Sequence, residues 1–236
     1  AIFGSLFQSI MDEKARRNLG AHYTSEENIL KLIGPLFLDD LRAEFEKTKN
    51  NRNRLFEFHK KLRSLTFFDP ACGCGNFLVI AYRELRLLEN ELIDKLFSKG
   101  GQSKGLLDIG TQSRVTVDQF YGLEIDPSAA HIAQVALWIT DHQLNLITAD
   151  RFGSTRPSIP LVKSAHIRQC NALRTDWASV LPPEQCSFIV GNPPFVGAKY
   201  QSDEQRADGA LVMGAIPNAG LLDYVCCWHV KAAAYM

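Results

Sequence analysis

A strand-to-helix turn near residue 70 constrains the fold of this chain more than any other segment. Residues 65–68 form a short apolar strand candidate, which ends at Asp69 and runs into a turn that contains Gly73 and Gly75. A long helix is then predicted over 76–96. Glycines in such a turn permit positive φ and let the backbone approach a ligand closely. The segment therefore predicts a ligand-binding turn in an α/β fold.

Strands and helices alternate along the rest of the chain. Three further strand candidates lie at 119–125, 165–169 and 187–190. Helices are predicted over 127–141 and 221–236, whereas the polar, glycine-containing stretch 199–220 is predicted to be a loop. Such alternation is typical of a mostly parallel sheet, which binds ligands beyond the carboxyl ends of its strands.

The N-terminal part has a different pattern and is predicted to be helical. Residues 24–27, Thr-Ser-Glu-Glu, match a capping box and begin a helix that Gly34-Pro35 interrupts. Further helical pieces are predicted up to residue 63, because apolar positions recur with helical spacing. We therefore divide the chain into an N-terminal helical segment, 1–64, and an α/β domain, 65–236.

Composition narrows the class of protein. The 236 residues include 26 Lys and Arg and 26 Asp and Glu, so the formal charge is zero, whereas a domain that held DNA by itself would more often be basic. No stretch approaches the roughly 20 apolar residues of a membrane span, and the N-terminus does not resemble a signal peptide. The six cysteines lack the spacing of a zinc site. We expect a cytoplasmic protein with reduced thiols, no bound metal and no membrane contact.

The glycine-containing turn also indicates the kind of ligand it would bind. Its spacing lacks the third glycine of a dinucleotide fingerprint, and the Asp69 carboxylate would repel a phosphate. A zwitterion fits better, because its carboxylate can face the N–H groups of the helix while its ammonium group faces Asp69. S-adenosylmethionine carries both groups. Glu124, at the end of the second strand candidate, can accept both hydroxyls of a ribose, and Asp126 is expected to cap the next helix.

The segment Asn192-Pro193-Pro194-Phe195 follows the fourth strand candidate. A residue before proline is held extended, and prolines have no N–H, so the segment presents acceptors: the side-chain oxygen of Asn192 and the carbonyl of Pro193. Two acceptors suit an exocyclic amine, because they favour a pyramidal nitrogen with an available lone pair. Phe195 would stack on the ring of a base that has left its duplex. Positioning and electrostatics would then carry the rate.

Three of these segments together resemble a known family. DPACGCGNF (69–77), GLEIDP (122–127) and GNPPF (191–195) resemble, in that order, the amino-methylating DNA methyltransferases. Residues 18–24 are similar to the methionine-contacting motif of that family, and their place before the glycine turn is typical of the gamma arrangement of N6-adenine enzymes. Further similarity at 170–177, 192–197 and 222–232 narrows the resemblance to the MmeI-like branch of type II restriction–modification proteins.

The resemblance implies a role for individual residues and a Rossmann-like methyltransferase sheet with an N-terminal helical extension. S-adenosylmethionine would be bound by Tyr23, Thr24, Asp69, Ala71, Cys72, Gly73, Gly75, Asn76, Glu124, Ile125 and Asn171. Asn171 stands where many relatives carry Asp, and its amide oxygen can also accept from the amino group of the cofactor's adenine. The target base would be held by the catalytic residues Asn192, Pro193, Pro194 and Phe195.

The resemblance further implies a site-specific enzyme that methylates the N6 amine of a flipped adenine in double-stranded DNA. In such enzymes further catalytic strands and a target-recognition domain follow the Asp223-Tyr224 region, whereas this chain ends at Met236. We therefore expect a fragment with little or no activity by itself. Nuclease and target-recognition domains are expected in the same polypeptide.

Other readings of the same residues stay open. N4-cytosine methyltransferases use the same acceptors, more often with Ser in the first position. Protein-glutamine methyltransferases carry a similar segment, usually with Tyr as the aromatic residue, and lack an N-terminal motif like residues 18–24. A non-catalytic module that binds S-adenosylmethionine is a third possibility.

Overall fold

The computed structural model describes residues 24–98, 114–152 and 165–236. The main helices in these ranges are α1 (Glu26–Ile33), α2 (Asp39–Thr48), α3 (Arg52–Ser64), α4 (Asn76–Ser98), α5 (Pro127–Phe152), α6 (Asp203–Met213) and α7 (Cys226–Tyr235). The strands are β1 (Phe67–Asp69), β2 (Phe120–Glu124), β3 (His166–Gln169) and β4 (Phe188–Ile189). The expected α/β architecture and the helical N-terminal region are confirmed.

The four strands form one parallel sheet in the order β3-β2-β1-β4. All four strand predictions are confirmed, although each strand is one or more residues shorter than predicted. Asp69 of β1 pairs in register with Gly122 of β2, and Glu124 pairs with Gln169 of β3. Because the strands are parallel, the polar residues that end or follow them lie along one edge of the sheet.

The N-terminal helices begin at a different cap from the predicted one. Ser25, not Thr24, is the N-cap of α1, and its hydroxyl accepts from the N–H of Asn28. Gly34-Pro35 also does not end the helical path. A π-helical turn, Gly34–Leu38, leads directly into α2, because proline is tolerated in the first turn of a helical segment.

Phenylalanine rings in contact join the helical segment to the sheet. The ring centroid of Phe37, in the π-helical turn, lies 5.0 Å from that of Phe67 on β1 and 5.1 Å from that of Phe188 on β4. Phe67 also stacks on Phe120 of β2 at 5.1 Å. Aromatic pairs at these distances add to the energy of area burial. The helices and the sheet therefore share one hydrophobic core.

Helix α5 is longer than predicted, and polar residues in its second half are buried and bonded to α4. It runs to Phe152 rather than to Asp141. Arg86 of α4 is completely buried and donates to Asp141 Oδ1 at 3.2 Å and to Asn145 Oδ1 at 3.0 Å. Its guanidinium also lies 3.4 Å from Glu89 Oε2. Burial of such a charge requires partners of this kind.

The prediction of a loop over 199–220 is wrong for its central part. Helix α6 begins there behind a capping box, in which the Ser202 hydroxyl accepts from Gln205 N–H and the Gln205 side chain accepts from Ser202 N–H. Helix α7 begins at Cys226 rather than at residue 221, since the preceding residues form a 3-10 turn, Ala219–Leu221. No helix among the described residues is long and apolar enough to span a membrane.

Candidate functional site

The residues singled out at the strand ends lie side by side at the carboxyl edge of the sheet. Asp69 ends β1 and Glu124 ends β2, while Asn171 and Asn192 follow β3 and β4. The strand order places them in the row Asn171, Glu124, Asp69, Asn192. The structure thus brings together residues that are up to 123 positions apart. This edge is where open α/β sheets bind ligands.

The turn between β1 and α4 requires its glycines. Gly73 and Gly75 have φ values of 53° and 81°, in the left-handed region that side chains rarely adopt. A Cβ on Gly75 would also lie 3.0 Å from the Cβ of Ala133 on α5. The N–H of Cys72 donates to the carbonyl of Leu123 at 3.0 Å, which ties the turn to β2. The backbone of the turn is thereby held beside the end of β2.

Glu124 connects the turn to the start of α5. Its Oε2 accepts from the N–H of Gly73 at 2.8 Å, and its Oε1 accepts from the N–H of Asp126 at 2.9 Å. Burial raises the pKa of Glu124, and these backbone donors oppose the rise. Asp126 caps α5 as predicted, because its Oδ1 accepts from the N–H of Ala129 at 2.8 Å. Each carboxylate oxygen has a second lone pair, so Glu124 can still accept from a ligand.

Asp69 is a buried carboxylate with an unsatisfied oxygen. It is 1% exposed, and its Oδ1 accepts from the N–H of Ala71 at 3.0 Å. Its Oδ2 has no hydrogen-bond partner among the described residues. Burial raises the pKa of Asp69 to about 8, the Ala71 N–H opposes the rise, and the Glu124 carboxylate adds to it. A buried carboxyl oxygen of this kind calls for a donor, and a cationic donor would best offset the burial.

Gly191 makes room for the Asp69 carboxylate. A Cβ at position 191 would lie 2.4 Å from Asp69 Oδ1, closer than atoms can approach without a shift. Only glycine therefore lets the chain pass this close to the end of β1 before it reaches Asn192. The two segments predicted to bind the cofactor and the target base are thus in direct contact.

The Asn192 side chain also contacts the N-terminal segment. Its Nδ2 donates to the Thr24 hydroxyl at 3.1 Å. Tyr23, which was predicted to act with Thr24, lies outside the described residues. The segment after Asn192 is held at a second point, since the N–H of Val196 donates to Asp223 Oδ1 at 3.0 Å. Between these two anchors the Phe195 side chain is 56% exposed.

A cavity of about 710 Å³ opens beside the row. Its wall includes Ala71, Glu124, Ile125, Asn171 and Pro194 among the residues predicted from the sequence. Its size is within the range of small-molecule sites. Ile125 is 54% exposed and so offers an apolar surface to a ligand. The other described residues that were predicted to form the site do not line this cavity. They belong to the N-terminal segment, to the turn after β1 and to the segment after β4: Thr24, Asp69, Cys72, Gly73, Gly75, Asn76, Asn192, Pro193 and Phe195.

Asp208, on α6, is a residue of this cavity that the sequence reasoning missed. It is 3% exposed and accepts from Asn171 Nδ2 at 2.9 Å, from Arg174 Nε at 2.6 Å and from the Tyr224 hydroxyl at 2.9 Å. Burial opposes its ionisation, but these three hydrogen bonds outweigh burial and lower the pKa of Asp208. The capping box at 202–205 was the signal that could have revealed the helix.

Asn171 is the link between Asp208 and the strand ends. Its Oδ1 accepts from the N–H of Leu173 at 2.9 Å, while its Nδ2 donates to Asp208. No cluster of three potential metal ligands occurs within residues 24–98, 114–152 and 165–236.

Comparison with known proteins gives consistent matches. The family model of the MmeI DNA-methyltransferase domain matches residues 45–236. The chain is 61% identical to a solved structure of the type IIL restriction–modification enzyme MmeI in complex with DNA. That likeness has a TM-score of 0.95 and covers 100% of this chain and 31% of the other.

Two curated relatives extend the comparison. DNA methyltransferase A of Bacillus subtilis (strain 168) is 38% identical over an alignment of 237 positions, which covers 99% of this chain and 26% of the relative. The adenine-specific methyltransferase PglX of Streptomyces coelicolor is 23% identical over an alignment of 225 positions, which covers 84% of this chain and 16% of the relative. The chain spans a third or less of the length of these proteins.

Proposed function

Because this chain belongs to the family of the MmeI DNA-methyltransferase domain, we propose that it is the catalytic core of a restriction–modification protein. That protein would transfer a methyl group from S-adenosylmethionine to the N6 amine of an adenine in DNA. One observation carries the proposal: Gly191, which directly precedes Asn192 and its two prolines, approaches the Asp69 carboxylate at the carboxyl edge of the sheet.

The residues at this edge fit the parts of S-adenosylmethionine. The unsatisfied Oδ2 of buried Asp69 suits its ammonium group, and the backbone of the glycine turn suits its carboxylate. Glu124 has lone pairs for the ribose hydroxyls, while Ile125 and Asn171 line the cavity that would hold the adenine. When bound, S-adenosylmethionine supplies a methyl group activated by the positive charge on its sulfur.

Asn192 and Pro193 would prepare the target amine for the methyl group. The Asn192 amide donates through Nδ2 to Thr24, so Oδ1 is the acceptor on the opposite side of the amide. This oxygen and the carbonyl of Pro193 would accept the two N–H groups of the amine. They would stabilise the positive charge that develops on the nitrogen, and its proton would leave to water. The exposed Phe195 ring would stack on the extruded base.

Adenine is the proposed base for two reasons. Asn, rather than Ser, stands in the first position of the acceptor segment. One relative is named an adenine-specific methyltransferase. Double-stranded DNA would be held mainly by parts of the full-length protein outside this chain, in agreement with the zero formal charge. We propose that target-recognition and nuclease domains lie in that same polypeptide, which would act in the cytoplasm.

The direct test is product analysis with the full-length protein that contains this chain. Double-stranded DNA is incubated with S-adenosylmethionine and digested to nucleosides, which mass spectrometry identifies. We expect N6-methyl-2′-deoxyadenosine from the wild type and a loss of at least about a thousandfold in rate for Asn192→Ala. Asn53→Ala, on the exposed side of α3, is the matched control. N4-methylcytosine would overturn the choice of base, and absence of any methylated nucleoside would overturn the function.

A further inference from the structure

Two opposite partners fix the orientation of the Asn171 amide. Its Nδ2 donates to Asp208 Oδ2 at 2.9 Å, and its Oδ1 accepts from the N–H of Leu173 at 2.9 Å. An ionised carboxylate can only accept and a backbone N–H can only donate. Both contacts therefore demand the same orientation, and a flipped amide would lose both at once.

We propose that Asp208 is a positioning residue that makes the cavity selective for a purine with an amino group at position 6. The proposal rests on the proposed function, since the purine is the adenine of S-adenosylmethionine. Asn171 lines the cavity, and its Oδ1 keeps a second lone pair after it accepts from Leu173. Because Asp208 accepts from Nδ2, the atom that Asn171 offers to the ligand is the acceptor Oδ1.

Asp208 is itself held in place as an ionised acceptor. Arg174 Nε donates to its Oδ1 at 2.6 Å, and the Tyr224 hydroxyl donates to its Oδ2 at 2.9 Å. Both residues also line the cavity. The Asp208 side chain is 4% exposed, so water does not compete freely for its oxygens. Asp208 therefore cannot turn away from Asn171 without loss of these two bonds.

The arrangement predicts discrimination between an amino group and a carbonyl group on the ligand. A purine 6-amino group donates to Asn171 Oδ1, whereas a 6-carbonyl group would place two acceptors against each other. A site built to hydrogen-bond one group rejects the analogue that lacks it, because its own polar groups are then left unpaired. If the Asn171 amide could flip freely, its Nδ2 could donate to the 6-carbonyl group, and the preference for the 6-amino group would disappear.

The experiment compares two ligands by calorimetry on the full-length protein: S-adenosylhomocysteine and S-inosylhomocysteine. We expect the wild type to prefer S-adenosylhomocysteine by about tenfold or more. Asp208→Asn should reduce the preference to below about threefold. The double variant Asn171→Asp/Asp208→Asn should restore it, because a carboxylate at 171 accepts in either orientation and the amide at 208 can donate to it.

Control variants separate the possible outcomes. Asp176→Asn removes an exposed carboxylate five residues from Asn171 and should leave the preference unchanged. Asn171→Ala should abolish the preference even if Asp208→Asn fails to fold. A preference that persists in Asn171→Ala or Asp208→Asn, with both ligands weakened equally, would mean that Asp208 is only structural. Failure of the wild type to bind either ligand would instead contradict the proposed function.

Discussion

The Asn192 amide donates to the Thr24 hydroxyl at 3.1 Å, across 168 positions of sequence. A threonine hydroxyl can both accept and donate, so it anchors the Asn192 amide without choosing its orientation. In the structure Nδ2 points towards Thr24, and Oδ1 lies on the other side of the amide. The segment predicted to contact the methionine of the cofactor therefore also anchors the residue predicted to hold the target base.

Replacement of this threonine should slow methyl transfer without unfolding the protein. Thr24→Val keeps the shape of the side chain but removes the hydroxyl acceptor. In the full-length protein we expect kcat to fall by about tenfold to hundredfold, because the Asn192 amide loses the hydrogen bond that anchors it. Steady-state rates on DNA measure the effect. Thr24→Ser should recover most of the rate, and Thr140→Val, which removes a hydroxyl bonded to a helix carbonyl on α5, is the matched control. Equal losses of kcat for both valine variants would contradict the anchoring role of Thr24.

Asp69 should make the ligand-free protein less stable as the pH rises. Its pKa is about 8 in the folded protein and about 4 in an unfolded chain. Between these values the folded protein binds a proton that the unfolded chain has released, so stability falls with rising pH. Asp69→Asn removes this loss of stability with rising pH. We expect the free energy of unfolding of the variant at pH 8 to exceed that of the wild type by about 1–3 kcal/mol.

Urea unfolding at pH 5 and pH 8 measures the pH dependence of the Asp69→Asn effect. The stability difference between variant and wild type should be small at pH 5 and grow towards pH 8. The exposed Asp176→Asn should show a difference near zero at both values. A constant difference for Asp69→Asn would mean that the carboxyl group does not titrate in this range.

A methyl group at position 191 should disturb the contact between the two binding segments. The Cβ of Gly191→Ala would lie 2.4 Å from Asp69 Oδ1, which cannot move freely because it accepts from Ala71. We expect a stability loss of about 1–3 kcal/mol, as for other overpacked sites, and weaker binding of S-adenosylmethionine. Thermal unfolding and calorimetry provide the two measurements. Gly220→Ala has no atom within 4 Å of its new Cβ and should leave binding unchanged.

The buried Arg86 should contribute far more to stability than a surface cation. Arg86→Met removes the buried cation that pairs with the Asp141 and Glu89 carboxylates. We expect a loss of about 3–5 kcal/mol in the free energy of unfolding. Lys31→Met removes an exposed ion pair with Glu27 and should cost less than about 1 kcal/mol. Denaturant titrations measure the free energy of unfolding of both variants. Similar losses for Arg86→Met and Lys31→Met would contradict the larger contribution expected of Arg86.

The parts of the fold that were predictable carry local signals. Strands β1 and β2 are short, mainly apolar runs that end at a conspicuous acidic residue, so they were found within one or two residues. The row of Asn171, Glu124, Asp69 and Asn192 then followed from the geometry of parallel strands, which places their carboxyl ends at one edge.

The parts that were missed depend on contacts between distant residues. The sequence analysis ends α5 at Asp141, yet the helix continues through Asn145 and Thr148, and all three of these polar residues are buried. Their burial is explained by Arg86, which lies 55 positions before Asp141. A hydrophobic pattern cannot reveal a helix face that is buried through ion pairs and hydrogen bonds.

Helix α6 was missed for a related reason. Gly209 interrupts its interior, and Asp208 and Met213 are its buried residues, so no apolar period is visible. Asp208 faces Asn171, Arg174 and Tyr224, which come from two other parts of the chain. The burial of Asp208 therefore depends on tertiary hydrogen bonds. The capping box is the feature of the local sequence that indicates helix α6.

The contacts of Phe37 and Thr24 have a consequence for the exchange of catalytic modules between related proteins. Both residues precede position 45, at which the family match begins, yet Phe37 packs on the sheet and Thr24 on Asn192. A module transplanted from residue 45 onwards would lack Phe37, which packs on Phe67 of the sheet. It would also lack the Thr24 hydroxyl that accepts from Asn192. The smallest transplantable unit therefore has to include residues 24–44 together with the sheet.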